Sequence, residues 1–90
     1  ASTVTPDYAD TDYISVTSPL VGVFYAAPAE NAEPYVAIGD RVKKGQTLCI
    51  VEAMKLMNEI TAEEDGVISE ICVTNDQVVE FGTELFRMKR

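Results

Sequence analysis

Two short patterns in this 90-residue chain return at a near-constant distance, and that repeat is the strongest constraint on its fold. Val16-Thr17 and Gly22-Val23 recur as Ile60-Thr61 and Gly66-Val67, 44 positions later. Asp40 and Val42 match Asp76 and Val78 at an offset of 36, and Gly45, Thr47 and Leu48 align with Gly82, Glu84 and Leu85 at 37. Neither copy is long enough to bury a hydrophobic face alone, so the repeat predicts two similar half-sheets related by a pseudo-two-fold axis. The fall in offset, 44 − 36 = 8, assigns eight extra residues to the first copy, between Tyr25 and Gly39. They fall in Ala26–Pro34 (AAPAENAEP), an alanine-rich stretch punctuated by Pro28 and Pro34. An ordered loop carried by only one copy of a repeat is often functional, and a tolerated surface insertion is the plain alternative.

From Tyr13 onward, strand-like runs alternate with turn signals. The runs are Tyr13–Thr17, Val21–Tyr25, Arg41–Lys44, Leu48–Glu52, Met57–Thr61, Val67–Val73, Gln77–Val79 and Glu84–Met88. Breaks such as Ser18-Pro19, Gly39-Asp40, Asp65-Gly66 and Asn75-Asp76 separate them. Short strands at this spacing predict an all-β sandwich or barrel. Residues 1–12 (ASTVTPDYADTD) are polar, acidic and aperiodic, and read as a flexible tail or linker end ahead of a domain over 13–90. The paired glycines Gly22/Gly66 and Gly45/Gly82 are expected where a turn or a close backbone approach excludes a side chain.

Fifteen acidic against seven basic residues give a formal net charge of −8, which disfavours nucleic acid and anionic membrane surfaces as partners. No apolar run approaches the length of a membrane span, and the first residues lack the form of a secretory signal. The absence of histidine removes the commonest general base and the usual ligand of catalytic zinc, so an enzyme acting alone is the least favoured class. Cys49 and Cys72 lie in apolar strings (LCIV and ICV), which predicts two buried, reduced thiols that serve packing.

The segment Glu52–Glu59 (EAMKLMNE) sits between the two copies, and its local and global readings conflict. Its residues are strong helix formers; Ile50, Ala53, Met54, Met57 and Ile60 share one helical face, and Lys55 and Glu59 are spaced i,i+4. That pattern alone predicts a helix from about Ile50 to Glu64. The repeat instead predicts a hairpin of Leu48–Glu52 with Met57–Thr61, turning through Ala53–Leu56, where no Gly, Asn or Asp supplies the usual turn chemistry. The Cys-Ile-Val opening favours strand, and Thr47 is the only available cap. Such conflicts between local preference and global pattern mark functional sites. On the hairpin reading Met57 re-enters the core.

Ala53-Met54-Lys55-Leu56, with Glu52 before it, resembles the biotin attachment motif of biotinyl carrier domains. The resemblance covers about Tyr13–Lys89, and Ser18-Pro19-Leu20-Val21-Gly22 is similar to the Ser-Pro-Met-Val-Gly segment of these carriers. The insert Ala26–Pro34 resembles the thumb loop of acetyl-CoA carboxylase carriers, which most other biotinyl and lipoyl domains lack. The resemblance implies a flattened barrel-sandwich of two four-stranded antiparallel sheets, with the attachment lysine on a tight hairpin away from the termini. It implies biotin joined covalently to Lys55, with Glu52, Ala53, Met54 and Leu56 presented to a biotin protein ligase. Ala27, Pro28 and Ala29 would be the thumb residues near biotin. Family thumbs often carry a hydroxyl side chain where this chain has Ala27, so backbone groups would supply the hydrogen bonds here.

The implied role is that of a non-catalytic carrier domain, monomeric as a fragment, in a bacterial cytoplasm or plastid stroma. It would take a carboxyl group from biotin carboxylase to a carboxyltransferase whose acceptor is acetyl-CoA, the first committed step of fatty acid synthesis. The alternatives are the carrier of another biotin-dependent carboxylase or decarboxylase, a lipoyl carrier, or an unmodified β interaction module. The missing Asp-Lys-Ala core disfavours lipoylation, and the module would leave Lys55 without purpose.

Overall fold

The computed structural model describes residues 13–90; the tail expected over residues 1–12 lies outside the described residues. Eight strands follow one another: β1 (Tyr13–Thr17), β2 (Gly22–Tyr25), β3 (Arg41–Val42), β4 (Thr47–Ala53), β5 (Leu56–Thr61), β6 (Gly66–Ile71), β7 (Val78–Val79) and β8 (Glu84–Lys89). They form two antiparallel four-stranded sheets, ordered β1-β8-β6-β3 and β5-β4-β2-β7. The all-β sandwich expected from the strand spacing is what forms, and no helix runs through Ile50–Glu64. Helix propensity there yields to pairing: Cys49, Ile50, Val51 and Glu52 find partners in Ile60, Glu59, Asn58 and Met57 on one side, and Ile50, Val51 and Glu52 pair with Tyr25, Phe24 and Val23 on the other. A helix would strand all of those backbone groups.

The repeat is real, and its second offset is 37 rather than 36. Gly39 donates to the Ile68 carbonyl as Asp76 donates to Phe24, and Ile68 donates to Asp40 as Phe24 donates to Gln77. Gly39 and Asp76 both take positive φ, 97° and 72°. The Ala37 amide is capped by the Asp40 carboxylate as the Thr74 amide is by the Gln77 side chain. The sequence matched Asp40 to Asp76 because both are aspartates; hydrogen bonding matches Asp40 to Gln77. The insert is therefore 44 − 37 = 7 residues long.

The core is built from equivalent pairs. Val42 and Val79, Leu48 and Leu85, Cys49 and Phe86, Val51 and Met88, and Phe24 and Ile68 are all buried. The Phe24 and Phe86 rings meet at 6.1 Å and 58°, a tilted contact between the two sheets. Gly22 and Gly66 are also equivalent: a β-carbon at Gly22 would strike the Glu52 carbonyl, and one at Gly66 the Lys89 carbonyl. Both are close-approach positions, and Gly45 and Gly82 hold positive φ in the matching turns.

Cys72 departs from expectation. It is exposed, whereas Cys49 is fully buried. β6 ends at Ile71 and Val73 turns inward, so Cys72 falls on the solvent side. Met57 also departs, being 53% exposed. Cys49 and Val51 point into the sandwich, so Glu52 and its cross-strand partner Met57 point out. Among the described residues no helix is long and apolar enough to cross a membrane.

Candidate functional site

β4 and β5 join through the shortest possible hairpin. Ala53 pairs with Leu56, leaving only Met54 and Lys55 in the turn, both with positive φ, 53° and 68°. Two successive left-handed residues define a type I′ turn, which matches the twist of the flanking strands but normally requires Asn-Gly or a similar pair. The turn is thus two residues rather than the four expected, and Ala53 and Leu56 belong to the strands. Asn58 braces it from below, its side-chain amide donating to the Val51 and Leu56 carbonyls at 3.2 Å each.

The tip is an apolar knob carrying one cation. Met54 is 93% exposed and Leu56 65%. Lys55 between them is exposed, and no described carboxylate forms a salt bridge with it. An exposed amine at the apex of a tight turn is accessible to an electrophile held by another protein. The pseudo-symmetry locates this tip. Glu52–Met57 in one sheet is equivalent to Lys89–Tyr13 in the other. Ser18–Val21 crosses from the Thr17 end of β1 to Gly22, beside Glu52. The lysine therefore stands at the end of the sandwich opposite Tyr13 and Lys89.

Below the tip, the insert folds over the outer face of the second sheet. Its base is closed by the Tyr35 amide donating to the Ala26 carbonyl at 2.9 Å, and Ala26 is tied to the Asn75 side chain at 2.8 Å. Beneath it lies a cleft of about 440 Å³. Tyr25, Glu52 and Met57 floor the cleft, and residues 27–30 and 75–76 wall it. Volume and lining suit a small organic group with a few polar atoms. Burial raises the Tyr25 ionisation first, and a hydrogen bond to the Glu52 carboxylate adds to this, so the phenol stays protonated and donates to Glu52.

Of the residues singled out in the sequence, Ala27, Pro28, Ala29 and Glu52 meet in this cleft, while Ala53, Met54, Lys55 and Leu56 form the tip above it. Tyr25, Glu30, Met57, Asn75 and Asp76 complete the cleft and were not singled out as site residues. The alternation of β2 carried a signal for Tyr25, which follows inward Phe24 and so faces out beside the insert. Nothing local to Asn75-Asp76 marks it as anything but a turn. Among the described residues no cluster of His, Cys, Asp or Glu could hold a metal ion.

Known proteins are similar to this chain in sequence and fold. The biotin carboxyl carrier protein of acetyl-CoA carboxylase from Streptococcus pyogenes is 61% identical over 74 residues, covering 82% of this chain and 45% of its own length. The corresponding protein of a Nostoc species is 50% identical over 80 residues (89% and 44%), and a chloroplastic one from Arabidopsis thaliana 47% identical over 72 (80% and 26%). The chain thus spans less than half the length of each of these relatives. The urea carboxylase of Kluyveromyces lactis superposes over 98% of this chain and 7% of its own, with a TM-score of 0.72 and 28% identity. A single-chain, multi-domain long-chain acyl-CoA carboxylase superposes over 100% of this chain and 8% of its own, with a TM-score of 0.76; at 22% identity it supports the fold alone. The sequence profile of the Biotin_lipoyl family, described as biotin-requiring enzyme, matches residues 14–88, and the chain belongs to that family.

Proposed function

We propose that this chain is the biotinyl carrier domain of an acetyl-CoA carboxylase, with biotin in amide linkage to the Lys55 Nζ. The observation that carries the reading is the turn itself: an exposed lysine, in no salt bridge with a described carboxylate, held in a left-handed conformation at the apolar apex of a two-residue hairpin. When bound, biotin supplies a ureido nitrogen that accepts and releases a carboxyl group. Everything else is done by position. The Lys55 Nζ attacks an acyl-adenylate bound by a biotin protein ligase, and AMP and an Nζ proton leave as the amide forms. Met54 and Leu56 present an apolar collar for the ligase to grip, and Ala53 keeps the neck of the hairpin narrow. The cleft lies about two strand residues down from the tip, roughly 7 Å, within reach of a flexible lysyl arm. Its size accommodates a bicyclic ring, with Ala27, Pro28 and Ala29 as apolar cover, backbone groups of the insert as hydrogen-bonding partners, and Glu52 and Tyr25 below.

The domain contributes no catalytic group. It shuttles between a biotin carboxylase and a carboxyltransferase, and tethering keeps the effective concentration of the arm high at both. Residues 1–12 serve as the end of a linker and 13–90 as the swinging unit, monomeric by itself. The acetyl-CoA assignment rests on the insert and on the names of the relatives, which come from bacteria and chloroplasts; a bacterial cytoplasm or plastid stroma is the corresponding setting. The test is transfer of labelled carboxyl. The biotinylated domain, charged by biotin carboxylase with ATP and labelled bicarbonate, is expected to deliver label to acetyl-CoA through a carboxyltransferase at least tenfold faster than to propionyl-CoA. Equal or reversed preference would assign the domain to another carboxylase.

A further inference from the structure

The cleft under the insert carries formal charge of one sign. Glu30 reaches it from the insert, Glu52 from β4 and Asp76 from the turn before β7, and no lysine or arginine is among its described lining residues. Tyr25 contributes a neutral phenol, raised in its ionisation by burial and by Glu52 and Asp76, and donates to Glu52 without cancelling its charge. Lys55, at the tip, loses its positive charge when its nitrogen becomes an amide. A neutral polar ring entering this space meets one phenol, backbone groups and three carboxylates that can accept its N–H groups. An anion entering it loses water and meets three like charges, with no lysine or arginine among the described lining residues to offset them.

The ring of biotin is neutral, and its N-carboxylated form is an anion. Resting on the assignment of biotin to Lys55, we infer that the cleft is a charge-selective cradle: it stows the neutral ring beneath the insert and rejects the carboxylated one. Carboxylation then releases the ring for delivery, and loss of the carboxyl group allows it to return. No conformational change of the sandwich is required, because the change of charge is on the cargo. Three carboxylates at this range are expected to lower the docked population of the anion at least tenfold relative to the neutral ring.

The test uses ¹⁵N-labelled domain and reads amide shifts of Ala27, Ala29, Glu30 and Asp76. Wild type is compared before biotinylation, after it, and after charging in place by biotin carboxylase with ATP, Mg²⁺ and bicarbonate. Biotinylation is expected to shift these amides, and charging to leave about a tenth or less of that shift, bringing them back toward the unmodified values. In Glu30→Gln/Asp76→Asn, and in the triple variant with Glu52→Gln, the charged form is expected to stay docked. Retention of the shifts in charged wild type would overturn the cradle, as would equal release in wild type and both variants, which would make bulk the cause. Intact mass separates the two levels: if biotin is on Lys55 but moves none of these amides, the cradle fails and the carrier stands. If no biotin is accepted, both fail.

Discussion

Met54 and Lys55 each hold a left-handed backbone that costs an L-residue on the order of 1–2 kcal/mol, and neither Asn nor Gly relieves it. Fold stability alone would choose other residues there, and the proposed recognition of the tip by a ligase supplies a reason for Met54 and Lys55. Met54→Gly is expected to raise unfolding free energy by about 0.5–1 kcal/mol in urea melts while slowing modification of Lys55 by a ligase at least fivefold. A variant that is more stable and modified as fast would leave Met54 without a role. The same strain explains why the turn was hard to read: with no turn residue at 53–56, helical spacing competed on equal terms. The two thiols make a parallel case. LCIV and ICV look alike, yet register buries Cys49 and ends β6 just before Cys72. Burial pushes the Cys49 thiol up to about 12 from its ordinary 9.0. Its contribution to stability is therefore complete below pH 9 and is lost as pH rises toward 12. Wild type is expected to lose up to about 1.4 kcal/mol more per pH unit above 9 than Cys49→Ala. Parallel slopes in urea melts from pH 8 to 10.5 would contradict this.

At the scale of elements, the insert is an addition to a frame that closes without it. The equivalent second-half connection is seven residues shorter, and the Ala26 carbonyl already accepts from Tyr35 across the base. Replacing residues 27–34 with Asn-Gly would recast that bond as the i to i+3 bond of a turn. The cost in stability is expected to stay within about 1 kcal/mol, since surface loop length is a weak term. Biotinylation should proceed, and turnover of the biotinylated domain by biotin carboxylase should fall several-fold. Loss of folding in circular dichroism would show that the insert belongs to the core. The insert was legible because one copy of the repeat lacked it, and most strand positions followed from alternation between turn residues. Its length was misjudged by one because like residues do not guarantee like hydrogen bonds: Asp40 caps its turn as Gln77 does, while Asp76 holds the left-handed position of Gly39. The cleft was only half legible. Ala27–Ala29 and Glu52 carried local motifs, but Tyr25 and Asp76 join them only through sheet pairing and a distant turn.

Across the described residues, the pseudo-two-fold puts Lys55 and the described ends of the chain at opposite poles. Lys55 therefore faces away from the Tyr13 end of the described chain, as the proposed carrier role requires. The shared fold alone does not fix the chemistry; the central claim is that one nitrogen, the Nζ of Lys55, carries biotin. Intact mass after incubation with biotin, ATP and a biotin protein ligase tests it most directly. One biotinyl group is expected on the wild-type chain and none on Lys55→Arg, with both proteins folded by circular dichroism. A folded wild-type chain that gains nothing, or a Lys55→Arg chain that gains the same mass, would contradict the claim.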